Sequence, residues 1–265
     1  EPNKWLTYSV LFIPSVSFWC TGISKDTLVL ISILVIATRA FKLIRGFPGS
    51  KLWSMVILLF HLWLLYNIRS VILITLVIPF VIAASSFIAM RYNEHILFKR
   101  FIQTLIAGIS AVFFFVAIQS YGKEASIDQY LREAEVVQKD FANNATYTGK
   151  KYTINVTDYT ALGILSSFPA AVTAGLLRPY PWEALSSTLF MNGIESILFI
   201  YLIYAFFKSG FLQRIKEIRS NEFLIFCLIL ILIFSFITGF SSVIFGVLVR
   251  LRAPLLIFFG ILLTY

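Results

Sequence analysis

The chain has 265 residues, of which 59% are hydrophobic and only 13% are charged, whereas a soluble domain carries about 25% charged residues. This composition excludes a soluble globular protein, a disordered chain and a disulfide scaffold. The formal net charge of +9 comes mainly from loops between apolar segments. It therefore indicates an orientation in a membrane, and we expect no nucleic-acid partner.

Eight apolar segments are candidates for membrane-spanning helices, because about 20 apolar residues cross a bilayer and membrane β-strands are much shorter. In chain order they are 5–22, 26–43, 52–68, 71–90, 101–120, 184–207, 223–248 and 253–265. The chain begins without Met and its last apolar segment is short, so we expect a processed chain or a part of a longer one. The sequence predicts an all-α polytopic membrane protein with about seven to eight transmembrane helices.

The positive charges orient these spans. The loops 39–51, 91–100 and 208–222 are rich in Lys and Arg and poor in acids, which is typical of cytoplasmic loops. The segment 121–183, of about 60 residues, then lies outside and separates N-terminal spans (1–120) from C-terminal spans (184–265). Within it, 126–141 has the apolar spacing of an amphipathic helix.

The end of the external segment, 159–177, is apolar but interrupted by Gly and Pro. We expect it to form a re-entrant or interfacial helix. The cytoplasmic loops are too short for a nucleotide-binding domain, and residues 46–51 lack the spacing of a phosphate loop and are interpreted as a turn. Cys20 and Cys227 lie in apolar stretches as expected of buried thiols, and no zinc-type spacing is present. We expect neither a metal nor a cofactor.

Four arginines lie at the predicted outer ends of helices, where the positive-inside bias disfavours them. They are Arg69, Arg178, Arg250 and Arg252. The planar guanidinium group suits phosphate and carboxylate groups, so several arginines at one depth would form an anion site. Alternatively, each arginine reaches lipid headgroups or pairs with a local acid.

Glu195 lies within the predicted span 184–207. A carboxylate inside a membrane costs at least ~2.5 kcal/mol, which makes it a candidate functional residue. Asn192 lies one turn earlier on the same helix face. Glu195 could orient an arginine or accept a proton, or it could form a structural pair inside the bundle.

A rigid motif, Arg-Pro-Tyr-Pro-Trp-Glu, occupies residues 178–183. Tyr180 and Trp182 suit a membrane interface and can stack on sugar rings, while Glu183 is an external acid close to the membrane. The alternative is a turn that begins a helix and carries an aromatic anchor.

A second motif, residues 14–26, breaks the first span at Pro14 and ends in Lys25 and Asp26. Broken helices at membrane depth are tolerated where they line a cavity. Lys25 would add to the external cations and Asp26 could act as a base or a helix cap. The alternative is a capped turn.

Four stretches together resemble a family of polytopic bacterial inner-membrane proteins that are regarded as polysaccharide polymerases or glycosyltransferases of the O-antigen-polymerase type. The stretches are PSVSFWCTGISKD, YNIRS, LRPYPWEA followed by Glu195, and VLVRLRAPLL. The family's usual pattern has Pro after the arginine at position 69, where this chain has Ser70.

The resemblance implies an enzyme that joins sugars carried on polyprenyl pyrophosphate at the outer face of the bacterial inner membrane. Its partners would be membrane lipids and the lipid-linked glycan. Lys25 and the four arginines would bind the pyrophosphate, and Tyr180 and Trp182 the sugar. Glu183, Asp26 or Glu195 would supply the catalytic carboxylate, without a metal.

Two other functions remain open from the sequence. A transporter or a flippase of lipid-linked glycans would use Glu195 and Asn192 to line a path across the membrane. A non-catalytic subunit of a secretion or assembly complex would present an apolar face to other membrane subunits. The polymerase hypothesis instead predicts that the four arginines meet around one outward-facing cavity.

Overall fold

The computed structural model describes residues 12–91, 135–136, 138–141, 143–144, 150–154, 158–184 and 186–265. Within these ranges the fold is helical, and a single bridge joins Lys151 to Ile244. The helices are α1 (Pro14–Cys20), α2 (Lys25–Arg45), α3 (Lys51–Arg91), α4 (Ala161–Ser166), α5 (Phe168–Leu177), α6 (Ser187–Lys208), α7 (Phe211–Ser220), α8 (Glu222–Ser241) and α9 (Phe245–Thr264). The predicted span 101–120 and most of the predicted helix 126–141 lie outside the described residues.

Helix α2 shows how local sequence sets a boundary. The Ser24 side chain accepts a hydrogen bond from the backbone N–H of Thr27 and caps the first turn. Asp26 in the first turn and Lys42 in the last complement the helix dipole. Gly46 ends the helix in the left-handed conformation at φ 68°, which glycine adopts without steric cost.

The chain reverses direction inside α3, at Arg69. This residue has non-helical dihedrals of φ −152° and ψ 81°, and its Nη2 lies 2.8 Å from Asp26 Oδ1 at the start of α2. Farther along, Phe80 packs on Phe41 near the end of α2, with ring centroids 5.9 Å apart. The part of α3 after Arg69 therefore runs in the direction of α2, so α3 is a hairpin of two apolar helices with its bend between the predicted spans 52–68 and 71–90.

A contact between α2 and α8 identifies one end of the bundle. Arg45, at the end of α2, donates to Glu222 at the start of α8 across 2.6 Å. The basic loops 39–51 and 208–222 therefore lie at one end, which we term the Glu222 end, in agreement with their predicted grouping. The opposite end, where α2 begins, is termed the Asp26 end.

Helix α5 packs antiparallel to α8 through two glycines. A Cβ atom at Gly175 would lie 2.1 Å from the carbonyl oxygen of Ser235, and one at Gly239 would lie 1.9 Å from that of Ala171. Only glycine allows this approach of the two backbones. Because Gly175 faces Ser235, α5 ends at Leu177 beside the middle of α8, inside the bundle.

The last two helices meet earlier than predicted. Helix α8 ends at Ser241 and α9 begins at Phe245, whereas the predicted spans 223–248 and 253–265 place the break around Arg250 and Arg252. That boundary was wrong because it treated both arginines as loop residues. Both are instead paired with carboxylates of the bundle, so α9 includes them.

Among the described residues, five helices are long and apolar enough to cross a membrane, with the bent helix α3 counted once. They are Lys25–Arg45, Lys51–Ile88, Leu189–Lys208, Glu222–Ser241 and Phe245–Thr264. The chain is therefore an all-α, multi-pass membrane protein. The predicted count of seven to eight spans also includes 5–22 and 101–120, which lie partly or wholly outside the described residues.

Candidate functional site

Asp26 gathers two arginines from distant parts of the chain at the Asp26 end. Its Oδ1 accepts a hydrogen bond from Arg69 Nη2 at 2.8 Å, and its Oδ2 accepts one from Arg250 Nε. The Arg250 guanidinium also lies 6.0 Å from the centre of the Trp19 ring. Two positive charges thus share one negative charge.

The arginines of this group are accessible and the carboxylate is not. The Asp26 side chain is 3% exposed, whereas those of Arg69 and Arg250 are 25% and 45% exposed. Lys25, the preceding residue, is exposed as well. The buried Asp26 carboxylate therefore holds the two guanidinium groups on the side that faces the bundle. Their solvent-facing sides remain able to bind an anion.

A second group, Glu195 and Arg252, is sealed inside the bundle, with both side chains fully buried. Glu195 accepts hydrogen bonds from the backbone N–H and the hydroxyl of Ser15, at 2.8 and 2.9 Å. Its Oε1 lies 3.6 Å from Arg252 Nη2. The pair thus joins α1, α6 and α9 in an apolar environment, where an unpaired charge would be costly.

Arg252 also ties the end of α5 to this pair. Its Nη1 donates to the carbonyl oxygens of Leu176 (3.0 Å) and Arg178, which satisfies acceptors that the end of a helix leaves free. Among the described residues, Nε and Nη2 of Arg252 have no hydrogen-bond partner. The guanidinium contacts two carbonyl groups and the Glu195 carboxylate inside the bundle, and it is not exposed to solvent.

The 178–183 motif forms a turn that is stabilised by an ion pair and a hydrogen bond within the motif. Glu183 Oε1 lies 3.2 Å from Arg178 Nη2, and Oε2 accepts the backbone N–H of Tyr180 at 3.0 Å. The rings of Tyr180 and Trp182 are stacked with centroids 4.9 Å apart, and Trp182 is 75% exposed. Gly193 of α6 provides the space for this turn, because a Cβ there would lie 2.8 Å from Pro181 Cα.

Tyr152 packs against the 178–183 turn. It belongs to the segment 150–154, which contacts the connection between α8 and α9. No sequence pattern indicated this role. The Tyr152 ring lies 5.3 Å from the Arg178 guanidinium, and its hydroxyl donates to the Gly239 carbonyl oxygen at 2.7 Å. Burial raises the pKa of Tyr152, so the phenol stays protonated and keeps this donor.

Two cavities adjoin the ion-paired groups. One, of about 300 Å³, lies beside Arg69 and is lined mostly by apolar side chains of α3 and α8, with Thr75 and Thr238 among its polar residues. The other, of about 250 Å³, lies between α1 and α6 and includes Ser15 and Asn192. Only the first includes one of the four arginines.

The predicted site residues therefore fall into three groups, of which the first lies at the Asp26 end and the second lies inside the bundle. The first holds Lys25, Asp26, Arg69 and Arg250; the second holds Glu195 and Arg252; the third holds Arg178, Tyr180, Trp182 and Glu183. The second and third are linked because Arg252 donates to the Arg178 carbonyl. Ser15 was missed as the partner of Glu195, since a serine in an apolar stretch carries no signal of what it contacts.

The sequence shows no zinc-type spacing and predicts that no metal takes part. Among the described residues, no group of three or more His, Cys, Asp or Glu side chains is placed to hold a metal ion.

Comparisons of the chain with protein-family models, with curated proteins and with solved structures found no match.

Proposed function

We propose that the chain is an integral-membrane glycosyltransferase of the polysaccharide-polymerase type. It acts on sugars carried on polyprenyl pyrophosphate at the outer face of the bacterial inner membrane. The observation that carries the proposal is the pair Arg69 and Arg250, which share Asp26 and keep accessible guanidinium groups. The motif resemblance is consistent with it.

The cavity beside Arg69 supports a lipid-linked donor. It offers about 300 Å³ of mostly apolar lining directly next to a cation. An amphiphile with an anionic headgroup matches this combination, because its phosphates pair with guanidinium groups and its isoprenoid chain fits apolar surroundings.

In the proposed reaction, a hydroxyl oxygen of the acceptor sugar attacks the anomeric carbon of the donor sugar. The bond from that carbon to the pyrophosphate oxygen breaks, and the electron pair leaves with the pyrophosphate. Arg69 and Arg250 stabilise the charge that develops there. The hydroxyl proton passes to a carboxylate, for which Glu183 is the better candidate because its side chain is 19% exposed while Asp26 and Glu195 are buried.

The test is synthesis of polymer by the purified chain from a polyprenyl-pyrophosphate-linked oligosaccharide, with product length measured on a gel. We expect Arg69→Gln and Arg250→Gln each to reduce the rate by about 10²–10³-fold, as when a group that stabilises developing charge is removed. Arg45→Gln is the matched control, because it breaks a similar ion pair at the Glu222 end. Full synthesis by both site variants would refute the proposal.

A flippase of lipid-linked glycans is the second candidate, and one observation favours it. The charged pair Glu195 and Arg252 lies between the start of α1 and the end of α5, an arrangement of interrupted helices that transporters use at their binding sites. Movement of a labelled lipid-linked sugar across vesicles that is lost in Glu195→Gln, under conditions in which this variant is folded, but retained in Arg69→Gln would favour this function over the transferase.

A further inference from the structure

The turn between α2 and α3, at the Glu222 end, carries several cations. Arg39 and Lys42 lie near the end of α2, and Lys51 begins α3. Arg45, on the same stretch, is paired with Glu222. For the other three cations, the part of the chain that the structure describes provides no carboxylate partner.

These three cations line one cavity of about 160 Å³. None of the described residues that line it is acidic, and the lining also includes the turn at 46–51. Gly46 and Gly49, at φ 68° and 147°, let the backbone curl around the space. A positive-inside bias explains why basic residues lie at this end, but it does not require three of them to surround one cavity.

An apolar surface begins where the cavity ends. The first half of α3 exposes large apolar side chains, namely Trp53, Met55, Val56, Leu59, Phe60 and Trp63. Trp53 also lines the cavity, so the cationic space and the apolar surface are continuous. Tryptophan at such a boundary is typical of the membrane–water interface.

We propose that this cavity binds the phosphate of an anionic phospholipid whose acyl chains lie along the first half of α3. Basic pockets between transmembrane helices on the cytoplasmic side bind lipid headgroups in this way. A free phosphate would pair with the same cations, but it would make no use of the adjoining apolar surface.

The test compares lipid retention by the purified full chain in native mass spectrometry, with phosphatidylglycerol or phosphatidylcholine added to the micelles. We expect the wild type to retain phosphatidylglycerol preferentially. Replacing Arg39, Lys42 and Lys51 by Gln should lower that preference by about fivefold for each charge removed. Inorganic phosphate at millimolar concentration should not displace the lipid.

The matched control removes three charges at the same end but outside the cavity, by Lys208→Gln, Lys216→Gln and Arg219→Gln. It should leave the preference unchanged. Equal losses in both triple variants would reduce the effect to general charge attraction and overturn the proposal, and displacement by inorganic phosphate would overturn it in favour of a small anion. If the triple variant does not fold, Lys42→Gln alone repeats the test, because its side chain is exposed.

Discussion

The Glu195–Arg252 pair is the most completely buried charged contact among the described residues, with neither side chain exposed to solvent. Two charges removed from water stabilise a fold only through good mutual geometry and additional hydrogen bonds, which Ser15 and the end of α5 supply here. The pair therefore acts as a positioning device for the turn that follows α5, and its energetic effect is best measured by removing one partner at a time.

We expect Glu195→Gln and Arg252→Met each to lower the free energy of unfolding by about 3–5 kcal/mol, because each leaves the other charge buried without its partner. The double variant should lose less than the sum of the two. Thermal unfolding of the purified chain in one detergent measures all three.

The same cycle at Arg45 and Glu222, where Arg45 is 37% exposed, should show a coupling of only about 1 kcal/mol or less. Additive losses at Glu195 and Arg252 would contradict the role of the pair.

Sequence reasoning at the residue scale found the charged groups but not their partners. Arg69, Arg252 and Glu195 are conspicuous because charge is expensive in an apolar segment. That Asp26 holds both Arg69 and Arg250 follows only from tertiary packing, since these residues come from three separate helices. Tyr152 and Ser15 gave no signal at all because nothing in their local sequence distinguishes them from ordinary packing residues.

At the scale of elements, the contact between α5 and α8 depends on backbone approach and not on large side chains. Gly175 and Gly239 each meet a carbonyl oxygen of the other helix, in the manner of small residues at membrane helix interfaces. Because α5 carries Arg178 at its end, the spacing of this helix pair sets the position of the aromatic turn. The apolar run 159–177 predicted a helix, but its close partner could not be identified from the sequence.

We expect Gly175→Ala and Gly239→Ala to destabilise the chain by about 1–3 kcal/mol, because the added methyl group must push the helices apart. Gly246→Ala in α9 is the control, since a Cβ there has nothing within 4 Å. That control should be neutral or stabilising by about 0.5–1 kcal/mol, the usual gain from removing a helical glycine. Chemical denaturation in a mild detergent compares the three, and an unchanged stability of both interface variants would show that the helices are free to separate.

At the scale of the whole molecule, hydropathy and charge predicted an all-α, multi-pass membrane protein, and the apolar helices confirm this class. The paired basic loops 39–51 and 208–222 lie together, as the Arg45–Glu222 contact shows. The bend at Arg69 lies between the predicted segments 52–68 and 71–90. The break at 242–244 was missed because the stretch Ser-Val-Ile carries no charge to mark it, whereas the arginines that follow are charged and attracted the predicted boundary.

The predicted orientation can be tested by labelling single cysteines in a Cys20→Ala background, in which Cys227 is fully buried. Trp182→Cys lies in the exposed turn at the Asp26 end and Ser50→Cys lies in the exposed turn at the Glu222 end. A membrane-impermeant maleimide should label the first variant in intact cells and the second only after permeabilisation. The reverse pattern would place the Asp26 end in the cytoplasm and would refute the proposed reaction at the outer face.

The Asp26–Arg250 contact joins residues 224 positions apart, and the Ser15–Glu195 contact joins residues 180 positions apart. A ribosome therefore delivers Asp26 and Arg69 to the membrane long before it makes Arg250, and Ser15 long before Glu195. During that interval Asp26 can pair with Arg69 but not with Arg250, and Ser15 has no Glu195 to contact. Assembly of the cationic site is thus a late event in biosynthesis, and a growing chain cannot hold its anion-binding groups in place before α9 has been made.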